Sequence, residues 1–266
     1  MTITICRLLL AALFVAGCDN APESDGLMQL KLPSALREIS GLAVTTDGAL
    51  LAVADEKAHV FRISFDPVTI ERFTKFGDPA KKGDFEGITL LHDDLYLVTS
   101  NGVLWQKQLT AAPKDYTKIK TGLGKQCEIE GLTAWPERQW LLLLCKKSRH
   151  KNTRGQLTVY AWSAARQQLL DKPFIQLNYR EAGLPKLSPS GITLSNDTQQ
   201  FIIVAAKEQS YLTLNLDGSV SRWGQLPDAG NHRQAEGIAI TPGNTVYIAD
   251  EGKTSRGTIT RYEHSF

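Results

Sequence analysis

The sequence predicts an all-β fold, a β-propeller of five four-stranded blades, from a repeated phrase, the spacing of its copies and a strand count that closes. The phrase occurs as Glu38-Ile39-Ser40-Gly41-Leu42, Asp84-Phe85-Glu86-Gly87-Ile88, Glu128-Ile129-Glu130-Gly131-Leu132, Ser188-Pro189-Ser190-Gly191-Ile192 and Gln234-Ala235-Glu236-Gly237-Ile238. Its glycines lie 46, 44, 60 and 46 residues apart. A period in the forties, filled with several short strands, marks repeats that cannot bury their faces alone and so pack side by side around an axis.

Each repeat then divides into strands bounded by turn residues. The first gives strands over 40–46, 50–55, 59–64 and 69–76, with Asp47-Gly48 as a turn. The second gives 87–91, 95–99, 102–108 and 116–120, and the third 129–135, 140–145, 156–162 and 173–177. The fourth gives 191–194, 201–205, 211–215 and 219–223, with Asp217-Gly218 as its last hairpin turn. The fifth offers only 237–241, 245–249 and 257–262, while an unassigned strand at 27–32 precedes the first repeat. That N-terminal strand completes the last blade and closes the ring, which removes an exposed sheet edge. The longer interval between Gly131 and Gly191 leaves room for the alternative, a sixth and degenerate blade.

The first residues belong to a different kind of segment. Arg7, the apolar run 8–16 and the small residues before Cys18 describe a secretory signal over 1–17 rather than a membrane span. The cysteine after those small residues resembles a bacterial lipobox, which implies cleavage before Cys18, lipidation of its sulfur and stable anchoring by the acyl chains. Asp19 resembles the signal that keeps a Gram-negative lipoprotein at the inner membrane, so the expected location is its periplasmic face. Residues 18–26 read as lipidated cysteine and polar tether, reaching about 15–17 Å if flexible, and 27–266 as the propeller. Only Cys127 and Cys145 then remain, in an oxidising compartment, nearly opposite each other across one hairpin turned by Pro136-Glu137-Arg138. They are the expected disulfide.

The residue before each repeated glycine begins an innermost strand and faces the channel mouth. Those positions hold Ser40, Glu86, Glu130, Ser190 and Glu236. Three carboxylates converging on one axis need raised pKa values, basic partners or a bound cation. Glu86, Glu130 and Glu236 are accordingly candidate metal ligands, with calcium as the hard, oxygen-seeking candidate. The other reading is that they cap backbone amides and order water. The loops entering inner strands (Glu38, Asp84, Glu128) and those following second strands (Asp55, Lys146, Lys207, Asp250) fall on one face and form a candidate ligand-binding rim. The segment 146–154 carries five lysines or arginines and His150, which suits an anionic lipid headgroup, a small phosphorylated or acidic ligand, or an acidic partner protein.

The net charge of +2 and the want of a stacking platform beside the basic segment argue against nucleic acid. The chain contains no Gly-x-Ser-x-Gly elbow, His-Glu-x-x-His, P-loop or Cys-x-x-Cys, so no catalytic residue is assigned. An enzyme on this scaffold would have to use a metal-dependent carboxylate chemistry.

The lipobox, the repeated acidic phrases and the strand ends Val53-Ala54-Asp55-Glu56-Lys57 and Ile248-Ala249-Asp250-Glu251-Gly252 together resemble the bacterial SdiA-regulated family over about 27–266. That resemblance implies an exported β-propeller without a settled activity, and so a tethered module binding a ligand or envelope protein. Ser40 and Ser190 depart from the acidic form. A more distant similarity to calcium-dependent phytase-like and lactonase-like propellers implies the alternative, a calcium-dependent hydrolase.

Overall fold

Second strands in this chain are continuous apolar runs because each blade is covered on both faces by its neighbours. Leu50–Ala54 and Trp140–Ser148 are buried along nearly their whole apolar lengths, whereas the outer strand Val68–Lys75 is mostly exposed. The computed structural model describes residues 28–263. The expected signal segment, Cys6, the expected lipidation site Cys18, Asp19, the expected tether and His264 lie outside the described residues.

Blade 1 is β2 (Ile39–Val44), β3 (Leu50–Ala54), β4 (Lys57–Phe65) and β5 (Val68–Lys75). Blade 2 is β6 (Phe85–Leu91), β7 (Asp94–Thr99), β8 (Val103–Gln108) and β9 (Thr117–Lys120). Blade 3 has β10 (Cys127–Trp135), β11 (Trp140–Ser148) and β12 (Gln156–Ser163). Its outer edge is split into β13 (Gln168–Leu169) and β14 (Ile175–Asn178), both paired to β12. Blade 4 is β15 (Pro189–Ser195), β16 (Gln200–Ala205), β17 (Ser210–Asn215) and β18 (Val220–Gln225). Blade 5 is β19 (Ala235–Ile240), β20 (Val246–Asp250) and β21 (Thr258–Tyr262), completed by the N-terminal β1 (Met28–Lys31).

The described residues form five blades, and the long interval in blade 3 holds no sixth; it is spent on the divided outer edge and the loop to β15. The inner strands touch in the order β2, β6, β10, β15, β19 and back to β2, so the ring is closed. Five apolar clusters fill the five spaces between adjacent blades. The one between blades 1 and 2 joins Leu51, Val53 and Val60 to Ile88, Leu97 and Trp105, and Leu42 and Phe61 meet Ala239 and Tyr247 where blade 5 meets blade 1.

Closure also explains the repeated glycine. A Cβ on Gly87 would stand 2.8 Å from the backbone nitrogen of Leu132 in the next blade, and one on Gly191 would stand 2.7 Å from the carbonyl oxygen of Glu236. Contacts that short force the backbone apart. Gly87→Ala should therefore lower stability by about 1–3 kcal/mol. Gly230→Ala, where a Cβ meets nothing within 4 Å, should be nearly neutral, and paired thermal melts check both.

Candidate functional site

In all five blades the pairing of the first two strands slips by one residue at the same place. The partners skip from Ile39 to Gly41, Phe85 to Gly87, Ile129 to Gly131, Pro189 to Gly191 and Ala235 to Gly237. The extra residue of each β-bulge is Ser40, Glu86, Glu130, Ser190 or Glu236. A bulge leaves its residue out of the ladder and re-aims the side chain, so the repeated phrase is a device for presenting one polar group per blade at the channel mouth. Blade 3 carries a second slip, on the partner strand: Glu128 pairs with Lys147 and Ile129 with Cys145, which leaves Lys146 unpaired in the ladder.

The two bulged residues of blade 3 meet. Lys146 Nζ lies 3.0 Å from Glu130 Oε2, and the Glu130 side chain is only 7% exposed. Lys146 also attracts Glu236 and Glu86, and these interactions outweigh the burial that would otherwise lower its pKa, leaving it raised. Burial, followed by repulsion from Glu130, Asp84 and Glu236, pushes the Glu86 carboxyl up to about 9. Burial pushes Glu236 up to about 7 against the pull of Lys146, and burial also raises Glu130, with Lys146 opposing it. The mouth thus holds three carboxyls around one ammonium, with Glu86 protonated at neutral pH. The two serines serve the backbone. Ser190 Oγ donates to the carbonyl of Ala235 at 2.6 Å, tying blade 4 to blade 5, and Ser40 Oγ reaches the carbonyl of Val53 at 3.4 Å.

These shifts set the pH dependence. A carboxyl with a raised folded-state pKa holds its proton more tightly folded than unfolded, so stability falls as pH rises from the ordinary carboxylate value toward the folded one. For Glu86 that window ends at about 9 and for Glu236 at about 7. Glu86→Gln is expected to raise the melting midpoint at pH 8, leave it unchanged near pH 4, and flatten the profile between.

The rim residues fall into separate settings. Glu38 pairs with Arg37 at 3.0 Å, and Asp84 accepts a hydrogen bond from Ser100. Asp55 has one buried carboxylate oxygen without a hydrogen-bond partner, and its carboxyl is pushed up to about 6 by burial and by Glu38. Glu128 lies 3.9 Å from Arg149, and Lys207 is exposed. Asp250 departs from the rim expectation. It is buried, its carboxylate 2.7 Å from Nδ1 of the fully buried His232, and its other oxygen accepts the backbone N–H of Gln234. The far ring nitrogen of His232 lies 2.6 Å from the Tyr262 hydroxyl, which donates to the Pro227 carbonyl. Asp250 therefore locks blade 5 to the connection that enters it, because the loop before β19 folds His232 over the end of β20.

Cys127 and Cys145 are joined by a disulfide with Cα atoms 5.7 Å apart. It crosses β10 and β11 at the level of Glu130 and Lys146. No three of the His, Cys, Asp and Glu side chains are grouped to hold one metal ion, among the described residues. Glu86, Glu130 and Glu236 offer oxygen donors of the type calcium takes, but the cation facing them is the ammonium of Lys146. At the opposite end of the channel a cavity of about 370 Å³ is lined by Thr45, Thr89, Thr133 and Thr193 and carries no lysine, arginine or carboxylate. The three bulged carboxyls and Lys146 belong to the other mouth. Sequence reasoning missed Lys186, which joins the basic side of that mouth from the loop entering β15. Its place in a loop of the same kind as those carrying Glu38 and Asp84 was the available signal.

The geometry defines a closed propeller with one charged mouth. No family model matches the chain, and no curated protein does. Among solved structures it is similar to a luciferin-regenerating enzyme, at TM-score 0.54 and 11% identity over 89% of this chain and 95% of the other. It is also similar to the PQQ-bound aldose sugar dehydrogenase of Streptomyces coelicolor, at TM-score 0.54 and 11% identity over 89% and 98%. A nidogen/laminin complex matches at TM-score 0.52 and 16% identity over 80% and 72%. At these identities the likeness is one of fold.

Proposed function

We propose that this protein is a membrane-tethered periplasmic binding module that takes its ligand on the channel-mouth face, the role implied by its resemblance to the SdiA-regulated family. One observation carries the reading: chain direction. β1 pairs antiparallel with β21 and places Met28 beside Arg261, at the end away from the glutamates. A tether running from a lipidated Cys18 to Met28 reaches the propeller on the face opposite the glutamates and turns their mouth away from the membrane. The disulfide supports an oxidising compartment, and a fold that resembles both an enzyme and a protein complex is compatible with a binding role.

The test has two arms. Cys18→Ser should move the protein from the membrane to the soluble periplasmic fraction, and retention at the membrane would overturn the tether. The second arm addresses the calcium-dependent hydrolase, a reading favoured by the surplus of three carboxyls over one ammonium. The soluble chain from Asp19 on keeps every strand of the ring. Metal-stripped and then given calcium, its melting midpoint should stay put. A rise abolished by Glu130→Gln would replace the binding module with the calcium reading.

A further inference from the structure

The basic segment 146–154 is one wall of a concavity. Between blades 3 and 4, on the mouth face, lies a cleft of about 730 Å³ lined by Lys146, Lys147, Arg149, Arg154, Lys186 and Lys207. Lys146 and Lys147 come from the end of β11, Arg149 and Arg154 from the β11–β12 connection, Lys186 from the loop entering β15 and Lys207 from the loop after β16. The one carboxylate in the lining is Glu128. Lys146 is engaged by Glu130 and Arg149 by Glu128, at 3.0 and 3.9 Å. Lys147, Arg154, Lys186 and Lys207 make no ion pair or side-chain hydrogen bond among the described residues. The neighbouring Glu208 does not neutralise Lys207. Its carboxylate accepts instead from the backbone N–H and the hydroxyl of Ser188, at 2.7 and 3.1 Å.

Cations gathered in a concave site without counterions repel one another, and that repulsion is relieved when an anion enters. The wall is also held in advance of binding. Arg149 donates from its backbone N–H to Gln126 at 2.7 Å and from Nη1 to the Gly124 carbonyl at 2.9 Å, and the Cys127–Cys145 disulfide anchors the strand leading into it. Lysines supply point charges and arginines a fork that matches phosphate oxygens. The volume lies within the roughly 300–1,000 Å³ of small-ligand sites and exceeds what one phosphate needs. Tyr179, the aromatic residue in the lining, is 5% exposed, so no ring is offered for base stacking. We propose that this cleft binds a soluble multivalent phosphate. This deepens the binding-module reading by naming its ligand class, yet it stands independently of the tether and of calcium.

The probe is inorganic triphosphate, titrated calorimetrically into the soluble chain from Asp19 on. Binding is expected at 50 mM salt, weakening about 10-fold or more by 200 mM as counterions compete. Lys186→Glu with Lys207→Glu should abolish it while leaving the melting midpoint in place, since both side chains are exposed. The same reversals at Lys57 and Lys120, away from the cleft, should leave binding intact. No triphosphate binding by the folded protein, or binding indifferent to Lys186 and Lys207, overturns the proposal. So does sedimentation with phosphatidylglycerol vesicles without triphosphate binding, which would make the phosphate a lipid headgroup.

Discussion

Lys146→Met is expected to lower the melting midpoint strongly at pH 8 and much less at pH 5. The substitution keeps most of the apolar stem of the side chain and removes the cation that pairs with Glu130 and attracts Glu236 and Glu86. Breaking a buried pair leaves an uncompensated charge. The cost here is about 1–3 kcal/mol, below that of a fully buried pair, because Lys146 is about a third exposed and the carboxyls can take up protons. Without the ammonium, the folded-state pKa values of Glu86, Glu130 and Glu236 rise further, so stability falls more steeply with increasing pH. Melts of both proteins from pH 5 to 9 decide the matter, and an equal loss at both ends would assign Lys146 a packing role. Adding Glu130→Gln should restore part of the midpoint, giving a coupling energy for the pair.

Replacing both cysteines by alanine should cost about 3 kcal/mol, the chain-entropy value for a crosslink spanning 18 residues. For a chain of this size that is a fall of roughly 6–10 °C in the midpoint. The second effect is local. The disulfide holds β10 against β11 where both strands bulge, so its removal should also loosen the Lys146–Glu130 pair and the wall of the basic cleft. Hydrogen exchange at Glu128, Lys146 and Lys147 reads that loosening, and protection equal to that of the disulfide-bonded protein would refute it. A midpoint within a degree of the parent would show that the hairpin is fixed by its blade alone.

The five blades are legible because ring closure imposes one geometry five times. The glycine at each close approach and the polar residue in each bulge must recur at blade spacing, and Glu86-Gly87 and Glu236-Gly237 show it directly. The N-terminal closing strand follows from the strand missing after Tyr262. The outer edge of blade 3 was harder to read. Exposed strands carry no apolar alternation to mark them, and Gln168–Leu169 is too short to leave a pattern. The site was legible as a set of positions but not as a set of partners. Nothing in Cys145-Lys146-Lys147 announces a bulge on β11, so the meeting of Lys146 with Glu130 comes only from register. Asp250 shares its surroundings in sequence with the rim acids, and its burial is decided by His232 from the preceding loop. Lys186 lies beyond the repeated phrase, and only folding brings it opposite Arg154.

The pairing of β1 with β21 makes hydrogen-bonded neighbours of the first and last of the described strands. Every other blade is a local meander that can form as its own stretch of chain emerges, but blade 5 must wait for both ends. Until residue 262 is available the ring is an open arc with two unsealed flanks, and the contact that seals it spans nearly the whole sequence. Such a contact is slow to form and leaves sheet edges bare in the meantime. Five sheets therefore share a single point of commitment, and a cut that detaches 28–31 would expose a flank of blade 5 as well as shorten the chain.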